Sequence, residues 1–118
     1  MNIEAFRTYC INKKGVTEEF PFDEHTLVFK VMGKMFALAS LERIPLSANL
    51  KCDPDKAIEY REQYDGTIIP GYHMNKVHWN TCILEELPPD VVKHLINHSY
   101  ELVVSKLTKK LKAELAAL

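Results

Sequence analysis

The sequence predicts an α+β fold, with an antiparallel β-sheet and helices packed on one side of it. A β-rich hairpin pattern occupies residues 26–39, and a strand with clean alternation follows at residues 44–52. Segments with helical periodicity lie at both ends of the chain. The predicted strands are joined by short turns, which favours antiparallel pairing. We therefore expect a single domain over residues 1–118, ordered as helix, three strands, helix, one or two strands and two helices.

The composition indicates an ordinary globular protein. Of the 118 residues, 47% are hydrophobic and 26% are charged. No apolar stretch approaches the roughly 18 to 20 residues of a membrane span, and the N-terminus lacks the pattern of a signal peptide. Cys10, Cys52 and Cys82 form no C-x-x-C pair, which argues against a zinc ribbon or a disulfide scaffold. We expect a cytoplasmic protein with reduced thiols and no membrane association.

The charge balance restricts how the chain could bind nucleic acid. Fifteen basic residues stand against sixteen acidic ones, for a formal net charge of −1. Dedicated nucleic-acid binders usually carry a basic excess or a strongly basic face. Any attraction to phosphate must therefore come from local clusters of lysine and arginine.

The first segment, residues 2–14, is predicted to form a helix. Asn2 is a suitable N-cap, an apolar stripe repeats at spacings of three and four, and Gly15 suits the left-handed position after the last turn. An acidic segment follows in which Phe20 and Phe22 flank a proline. Because the residue before a proline avoids helix, we expect this segment to be extended, with both aromatic rings packed on the domain.

A β-hairpin is predicted next. Residues 26–32 and 34–38 are rich in strand-forming residues, and Gly33-Lys34 between them fits a type II′ turn. Lys30 and Lys34 lie near the tip. They could contact a nucleic-acid backbone in the manner of a wing, or they could protect an exposed strand from aggregation.

The third strand and the second helix adjoin each other. The strand alternates, with apolar Leu46, Ala48, Leu50 and Cys52 on one face and polar Ser47, Asn49 and Lys51 on the other. This pattern indicates one buried side and one wet side of the sheet. Asp53 and Pro54 suit the N-cap and first position of a helix, which Gly66 ends.

The densest group of polar and aromatic side chains lies in residues 71–81. The segment contains Tyr72, His73, Asn75, Lys76, His78 and the only tryptophan, Trp79. From about residue 77 it is predicted to continue as a strand. Two interpretations stay open: a contact surface for a partner, or a rigid loop in which Tyr72 and Trp79 anchor the core while His73 and Asn75 hydrogen-bond the backbone.

Two helices are predicted to complete the chain, over residues 88–103 and from about residue 108. His94 and His98 share a helical face, but no acidic or cysteine side chain nearby in the sequence completes a metal site, so none is predicted. The last helix has a basic end composed of Lys106, Lys109, Lys110 and Lys112. This end is either a solvated face or a surface for phosphate.

Signatures of catalysis are missing from the sequence. There are four glycines, and none lies in G-x-G-x-x-G or P-loop spacing. No G-x-S-x-G or H-E-x-x-H pattern occurs either. We therefore expect a protein that is not an enzyme, with no catalytic residues and no cofactor.

Several stretches together resemble the MmcQ/YjbR family of small bacterial proteins. They are residues 15–22, the hairpin at 28–37, Leu50-Lys51-Cys52-Asp53-Pro54, residues 70–80, residues 99–103 and residues 107–110. Because these stretches run in order along nearly the whole chain, the resemblance is specific. It implies an α+β fold similar to type III secretion chaperones and frataxin-like proteins. It also implies DNA binding through a "double wing" of hairpins.

The resemblance transfers no catalytic residues, but it directs attention to basic positions. If double-stranded DNA is the partner, the expected contact residues are Lys30, Lys34, Lys51, Lys76 and His78. Lysines on the first hairpin and on the sheet surface would then contact phosphates. The alternative is a protein-interaction or chaperone-like module that binds a protein partner and no nucleic acid.

Overall fold

The computed structural model describes all 118 residues, as a six-stranded antiparallel sheet with four helices on one face. The elements are α1 (Ile3–Ile11), β1 (Val16–Glu19), β2 (Thr26–Val31), β3 (Lys34–Ser40), β4 (Ser47–Lys51), α2 (Pro54–Gln63), β5 (Ile68–Pro70), β6 (Trp79–Ile83), α3 (Pro89–Ser105) and α4 (Lys109–Ala116). Neighbouring strands follow the order β1-β2-β3-β4-β6-β5. The predicted α+β class is confirmed. None of the helices combines the length and the apolar character that crossing a bilayer requires.

Side-chain capping starts three of the helices. Asn2 accepts a hydrogen bond from the Ala5 amide at 2.8 Å, and Asp53 accepts one from the Lys56 amide at 3.2 Å. Thr108 caps α4 in the same way. Each bond satisfies an amide that has no partner within its helix.

The main core lies between the sheet and the helices. Phe6 of α1 meets Phe29 of β2 edge to face, with ring centroids 5.9 Å apart, and both rings are fully buried. Helix α3 runs across β2, β3 and β4 and contributes Val92 and Ile96 to the same cluster. Burial of these side chains is the main source of stability, at about 1.5–3 kcal/mol for each large apolar group.

Ser99 joins α3 to two strands. Its hydroxyl donates to the carbonyl of Phe36 at 2.5 Å and accepts from the amide of Lys51 at 2.9 Å. The side chain is completely buried. The buried face of α3 therefore contains a serine at this position because its hydroxyl hydrogen-bonds both the Phe36 carbonyl and the Lys51 amide.

The acidic segment after α1 differs from the prediction. Its first part is the edge strand β1, paired with β2. Phe20 and Phe22 are 51% and 64% exposed, so the expectation that they pack on the domain is wrong. The last pair between the two strands is Glu19 with Val28. The chain leaves the sheet at this pair, so neither ring is packed into the core.

The hairpin turn also differs from the prediction. Met32 and Gly33 both have positive φ, 49° and 82°, which identifies a type I′ turn and not the expected type II′ turn at Gly33-Lys34. Val31 pairs directly with Lys34, so Lys34 is the first residue of β3. The backbone of a type I′ turn matches the right-handed twist of the two strands that it joins. The pairing of β2 with β3 therefore outweighs the energetic cost of a positive φ at Met32.

Strand β6 begins two residues later than expected. Val77, predicted to lie in the strand, is 58% exposed. Asn75 accepts hydrogen bonds from the Val77 amide with its side chain, at 2.9 Å, and from the Trp79 amide with its carbonyl, at 3.0 Å. Because these bonds form a turn, the chain enters the sheet only at Trp79.

Candidate functional site

The polar and aromatic segment forms a loop, residues 71–78, on the face of the sheet opposite the helices. We call this face the open face and the segment the 71–78 loop. Tyr72 donates its amide to Thr81 Oγ1 at 2.8 Å, and its carbonyl accepts from Asn49 Nδ2 at 3.2 Å. Thr81 in turn donates to the Asn49 side-chain oxygen. These bonds fix the start of the loop to β4 and β6.

The end of the loop is held from the other side by α2. Arg61 Nε donates to Asn80 Oδ1 at 2.7 Å, and the same guanidinium donates to the carbonyl of Lys76. The Lys76 ammonium donates to the carbonyl of Gly71 at 3.2 Å, which joins the two ends of the loop. The loop is therefore held at its start by β4 and β6, at its end by α2, and by a hydrogen bond that joins its two ends.

Two backbone features keep the loop in one shape. A Cβ atom on Gly71 would lie 2.7 Å from Trp79 Cβ and 2.9 Å from the Trp79 carbonyl oxygen, so only glycine fits there. His73 has φ of 59°, a conformation that residues with a Cβ rarely adopt. Strained residues of this kind persist where the surrounding structure holds them, and they concentrate at functional sites.

The tryptophan is buried, but on the open face. Trp79 forms a small cluster with Val28 and Leu38, against which Met35 and Met74 pack. It therefore belongs to a cluster separate from the main core. Tyr72 is 51% exposed and does not anchor the core, contrary to one of the two interpretations of this segment.

A cavity of about 410 Å³ lies next to this cluster on the open face. We call it the open-face cavity. Its lining residues come from the segment after β1, from the β2, β3 and β4 strands, from the β3–β4 connection and from the 71–78 loop: Phe22, Asp23, Thr26, Met35, Leu38, Ser40, Arg43, Ser47, Ala48, Asn49, Tyr72, His73 and Met74. The volume falls within the range of small-molecule sites, about 300–1,000 Å³.

Arg43 is the one cationic side chain at this cavity that is always charged. Its guanidinium carbon lies 4.4 Å from the centre of the Tyr72 ring, and the His73 ring lies 4.0 Å from Tyr72 on the same rim. No carboxylate lies within ion-pair distance of Arg43. The neighbouring Glu42 pairs with His25 at 3.0 Å.

A second recess contains three lysines. Lys34 at the start of β3, Lys51 at the end of β4 and Lys106 after α3 line a volume of about 260 Å³ beside Trp79 and Leu107. We call these three residues the lysine cluster. None of them forms an ion pair. Burial lowers the pKa of Lys51, and the charge of Lys106 lowers it further.

The other residues expected to contact DNA do not line the recess of the lysine cluster. Lys30 pairs with Glu19 at 3.3 Å. Lys76 and His78 belong to the 71–78 loop and not to a strand, and the His78 carbonyl accepts from the Cys52 amide at 2.9 Å. Of the five expected residues, the structure brings Lys34 and Lys51 together. The sequence assigns Lys106 to the basic end of the last helix. Only the structure shows that Lys106 lines the same recess as Lys51.

Comparison with known proteins identifies the family. A model of the family described as YjbR matches residues 11–102. The chain belongs to the YjbR family. The uncharacterized protein YbdF of Escherichia coli O157:H7 is 43% identical over 93 residues, which cover 77% of this chain and 75% of YbdF. The uncharacterized protein YyaQ of Bacillus subtilis is 30% identical over 106 residues, covering 76% of this chain and 87% of YyaQ.

Solved structures agree with the fold. The crystal structure of Deinococcus radiodurans protein DR2400, described as a DUF419 domain, superposes with a TM-score of 0.90 at 39% identity, covering 98% of this chain and 88% of that one. The crystal structure of a protein from Pseudomonas syringae superposes with a TM-score of 0.73 at 28% identity, covering 86% of this chain and 98% of that one. The range matched by the YjbR family includes every residue of the open-face cavity, whereas Lys106 lies beyond it.

Proposed function

We propose that this YjbR-family chain is a non-enzymatic protein that binds double-stranded DNA and contacts the phosphate backbone through Lys34, Lys51 and Lys106. The observation that carries the proposal is the lysine cluster, in which three lysines line one recess and none forms an ion pair with an acidic residue. Phosphate oxygens are the ligands that such groups take in protein–DNA complexes. The names of the relatives assign no enzymatic activity.

Mutual repulsion within the cluster favours an anionic ligand. The pKa of Lys51 is lowered by burial and by the charge of Lys106. Like charges held together destabilise one another, and an anion placed between them relieves that repulsion. The cluster therefore gains more from phosphate than three isolated surface lysines would.

The position of the cluster explains how a protein with a net charge of −1 can bind an anion. Lys34 follows the type I′ turn at the hairpin tip, which suits the proposed wing. Helix α4 lies at the same end, because Leu115 and Met32 both approach Gly15. The lysines of α4 and Lys14, whose ammonium donates to the Ala116 carbonyl at 3.0 Å, add to this basic end.

The expected binding is weak and depends strongly on salt. Each neutralised phosphate contributes about −0.9 to the slope of log K against log salt, so three contacts predict a slope of about −2.7. Sequence-independent binding of this kind has dissociation constants of about 10⁻⁴–10⁻⁶ M at physiological salt. No base preference is expected from contacts to phosphate alone.

Fluorescence anisotropy of a labelled duplex at about 50 and about 200 mM salt tests the proposal. The triple variant K34Q/K51Q/K106Q should bind more weakly and should lose most of the salt dependence. The control is K56Q, which removes an exposed lysine on α2 and should bind like the unmodified chain. If the unmodified chain does not bind at low salt, or if the triple variant binds equally well, the proposal is wrong.

A protein-interaction role is the second candidate. Three apolar side chains on segments that contribute to the open-face cavity are exposed: Phe22, which lines it, is 64% exposed, Ile44, next to Arg43, is 95% exposed, and Val77, in the 71–78 loop, is 58% exposed. Exposed apolar residues that group together are typical of interaction sites. Affinity capture of a stoichiometric protein that depends on Phe22 and Ile44, without nucleic acid, would favour this role over DNA binding.

A further inference from the structure

The open-face cavity is not used by the proposed DNA contacts. Met35 lines both it and the recess of the lysine cluster, so the two sites adjoin each other. The cavity has about 410 Å³, whereas the recess beside the lysines has about 260 Å³. A separate ligand can therefore occupy the cavity.

The walls of the cavity combine an apolar surface with one unpaired cation. Met35, Leu38 and Met74 supply the apolar surface. Arg43 supplies the cation, and its guanidinium carbon lies over the Tyr72 ring, 4.4 Å from the ring centre. Because Arg43 forms no ion pair, its N–H groups are available to a carboxylate, which can accept two of them.

Asp23, which lines the same cavity as Arg43, and Glu42, which precedes Arg43 in the sequence, are engaged elsewhere. Asp23 accepts hydrogen bonds from the amides of His25 and Thr26, at 2.8 and 2.7 Å. Glu42 pairs with His25 at 3.0 Å. Neither carboxylate forms an ion pair with Arg43, so this cation is available to an anionic ligand.

We infer that the open-face cavity binds a small organic carboxylate. The apolar body of the ligand lies against Met35, Leu38 and Met74, and its carboxylate pairs with Arg43. The size of the cavity admits a body of about the size of a benzene ring with a short chain. A neutral molecule of the same shape leaves Arg43 unpaired and binds less well.

The rigidity of the 71–78 loop supports this inference. Asn49 and Thr81 hold Tyr72 in place through three hydrogen bonds, so Tyr72 supports Arg43 before any ligand arrives. A site ordered in advance loses less conformational entropy on binding. His73, with its positive φ, lies on the same rim.

The probes for this inference are 3-phenylpropionate and its neutral analogue 3-phenylpropanamide, titrated into the ¹⁵N-labelled chain and followed by NMR. Ligands of this size bind such sites with dissociation constants of about 1–10 mM. The carboxylate should produce saturable shifts at the amides of Asn49, Tyr72 and Met74. The amide analogue should bind about tenfold more weakly. No saturable shift below about 20 mM, or equal binding of the two probes, would overturn the inference.

Two variants and one control locate the contact. R43Q should bind 3-phenylpropionate no better than the neutral analogue. R7Q removes an arginine that pairs with Glu18 on the first strand and should bind normally. The K34Q/K51Q/K106Q variant should also bind normally, which separates this site from the proposed DNA contacts. Unchanged binding by R43Q, or loss of binding in the triple-lysine variant, would show that the carboxylate binds elsewhere.

Discussion

Arg61 of α2 donates a hydrogen bond from Nε to Oδ1 of Asn80 in β6 at 2.7 Å. Asn80 is 3% exposed, and its side-chain amide donates to the Ala57 carbonyl at 3.3 Å. The same guanidinium reaches the carbonyl of Lys76. The pair therefore connects α2 to the base of the 71–78 loop, so the shape of the open face depends on a helix packed on the opposite face.

Replacing Arg61 with alanine should loosen the loop and destabilise the fold. Asn80 Oδ1 and the Lys76 carbonyl would lose their partner, so the free energy of unfolding should fall by about 1–3 kcal/mol. Trp79 is the only tryptophan, and its fluorescence should shift to the red as the loop opens. The control is R7A, which breaks an exposed ion pair and should change the free energy of unfolding far less than R61A. Equal effects of the two variants in urea unfolding would contradict this role for Arg61.

Gly71 should not tolerate alanine. The added Cβ would meet Trp79 at 2.7 Å, so G71A should lower the free energy of unfolding by about 1–3 kcal/mol. Gly66 is the matched control. It has φ of +77°, but a Cβ added there would meet no other atom within 4 Å, and asparagine tolerates that conformation. Chemical denaturation should therefore show G66N close to the unmodified chain, whereas a G71A protein of normal stability would argue against the close approach.

Stability should fall as the pH drops below about 6.5, through His98. Burial, and then the charge of Lys56, lower the pKa of His98 in the folded state. Its Nε2 accepts a hydrogen bond from the Asp53 amide at 3.1 Å, which requires the neutral ring. As the pH falls, the unfolded chain takes up the proton first, so the stability present above pH 6.5 is lost on the way down to the folded-state pKa. Asp53, His94 and Glu101 are the other charged groups near the ring.

The test is thermal unfolding of H98Q and H94Q across this pH range. The loss of stability at low pH should be smaller in the H98Q variant than in the unmodified chain. The H94Q variant, which changes an exposed histidine on the same helix, should lose as much stability as the unmodified chain. If both variants follow the same pH profile as the unmodified chain, His98 is not responsible.

The three cysteines should be unreactive in the folded protein. Burial raises the pKa of Cys10 and Cys82 to about 12 and that of Cys52 to about 11. The thiolate is the reactive form, so a thiol reagent such as Ellman's reagent at about pH 8 should react slowly with the native chain. All three thiols should react at once in denaturant. Fast reaction of one thiol without denaturant would reveal local opening around that residue.

Much of the secondary structure could be predicted from short segments. Asn2 and Asp53 mark the starts of helices by local chemistry, and the alternation in β4 predicts which face is buried. Gly15 was expected directly after the first helix, but α1 ends at Ile11, so this glycine belongs to the turn before β1. The family resemblance was confirmed by the YjbR match. The turn at Met32-Gly33 was missed because the same glycine suits two turn types, and strand pairing decides between them.

The sequence by itself determined the fold class and the order of the elements other than the edge strand β1, because periodicity, caps and turn residues act over a few neighbouring positions. Only the tertiary structure decided which distant side chains meet. The register that pairs Asn49 with Thr81 places β4 beside β6 and fixes Tyr72 under Arg43. Likewise, only the path of α3 brings Lys106 to Lys51. These contacts depend on sheet register and helix packing, which no local stretch of the chain encodes.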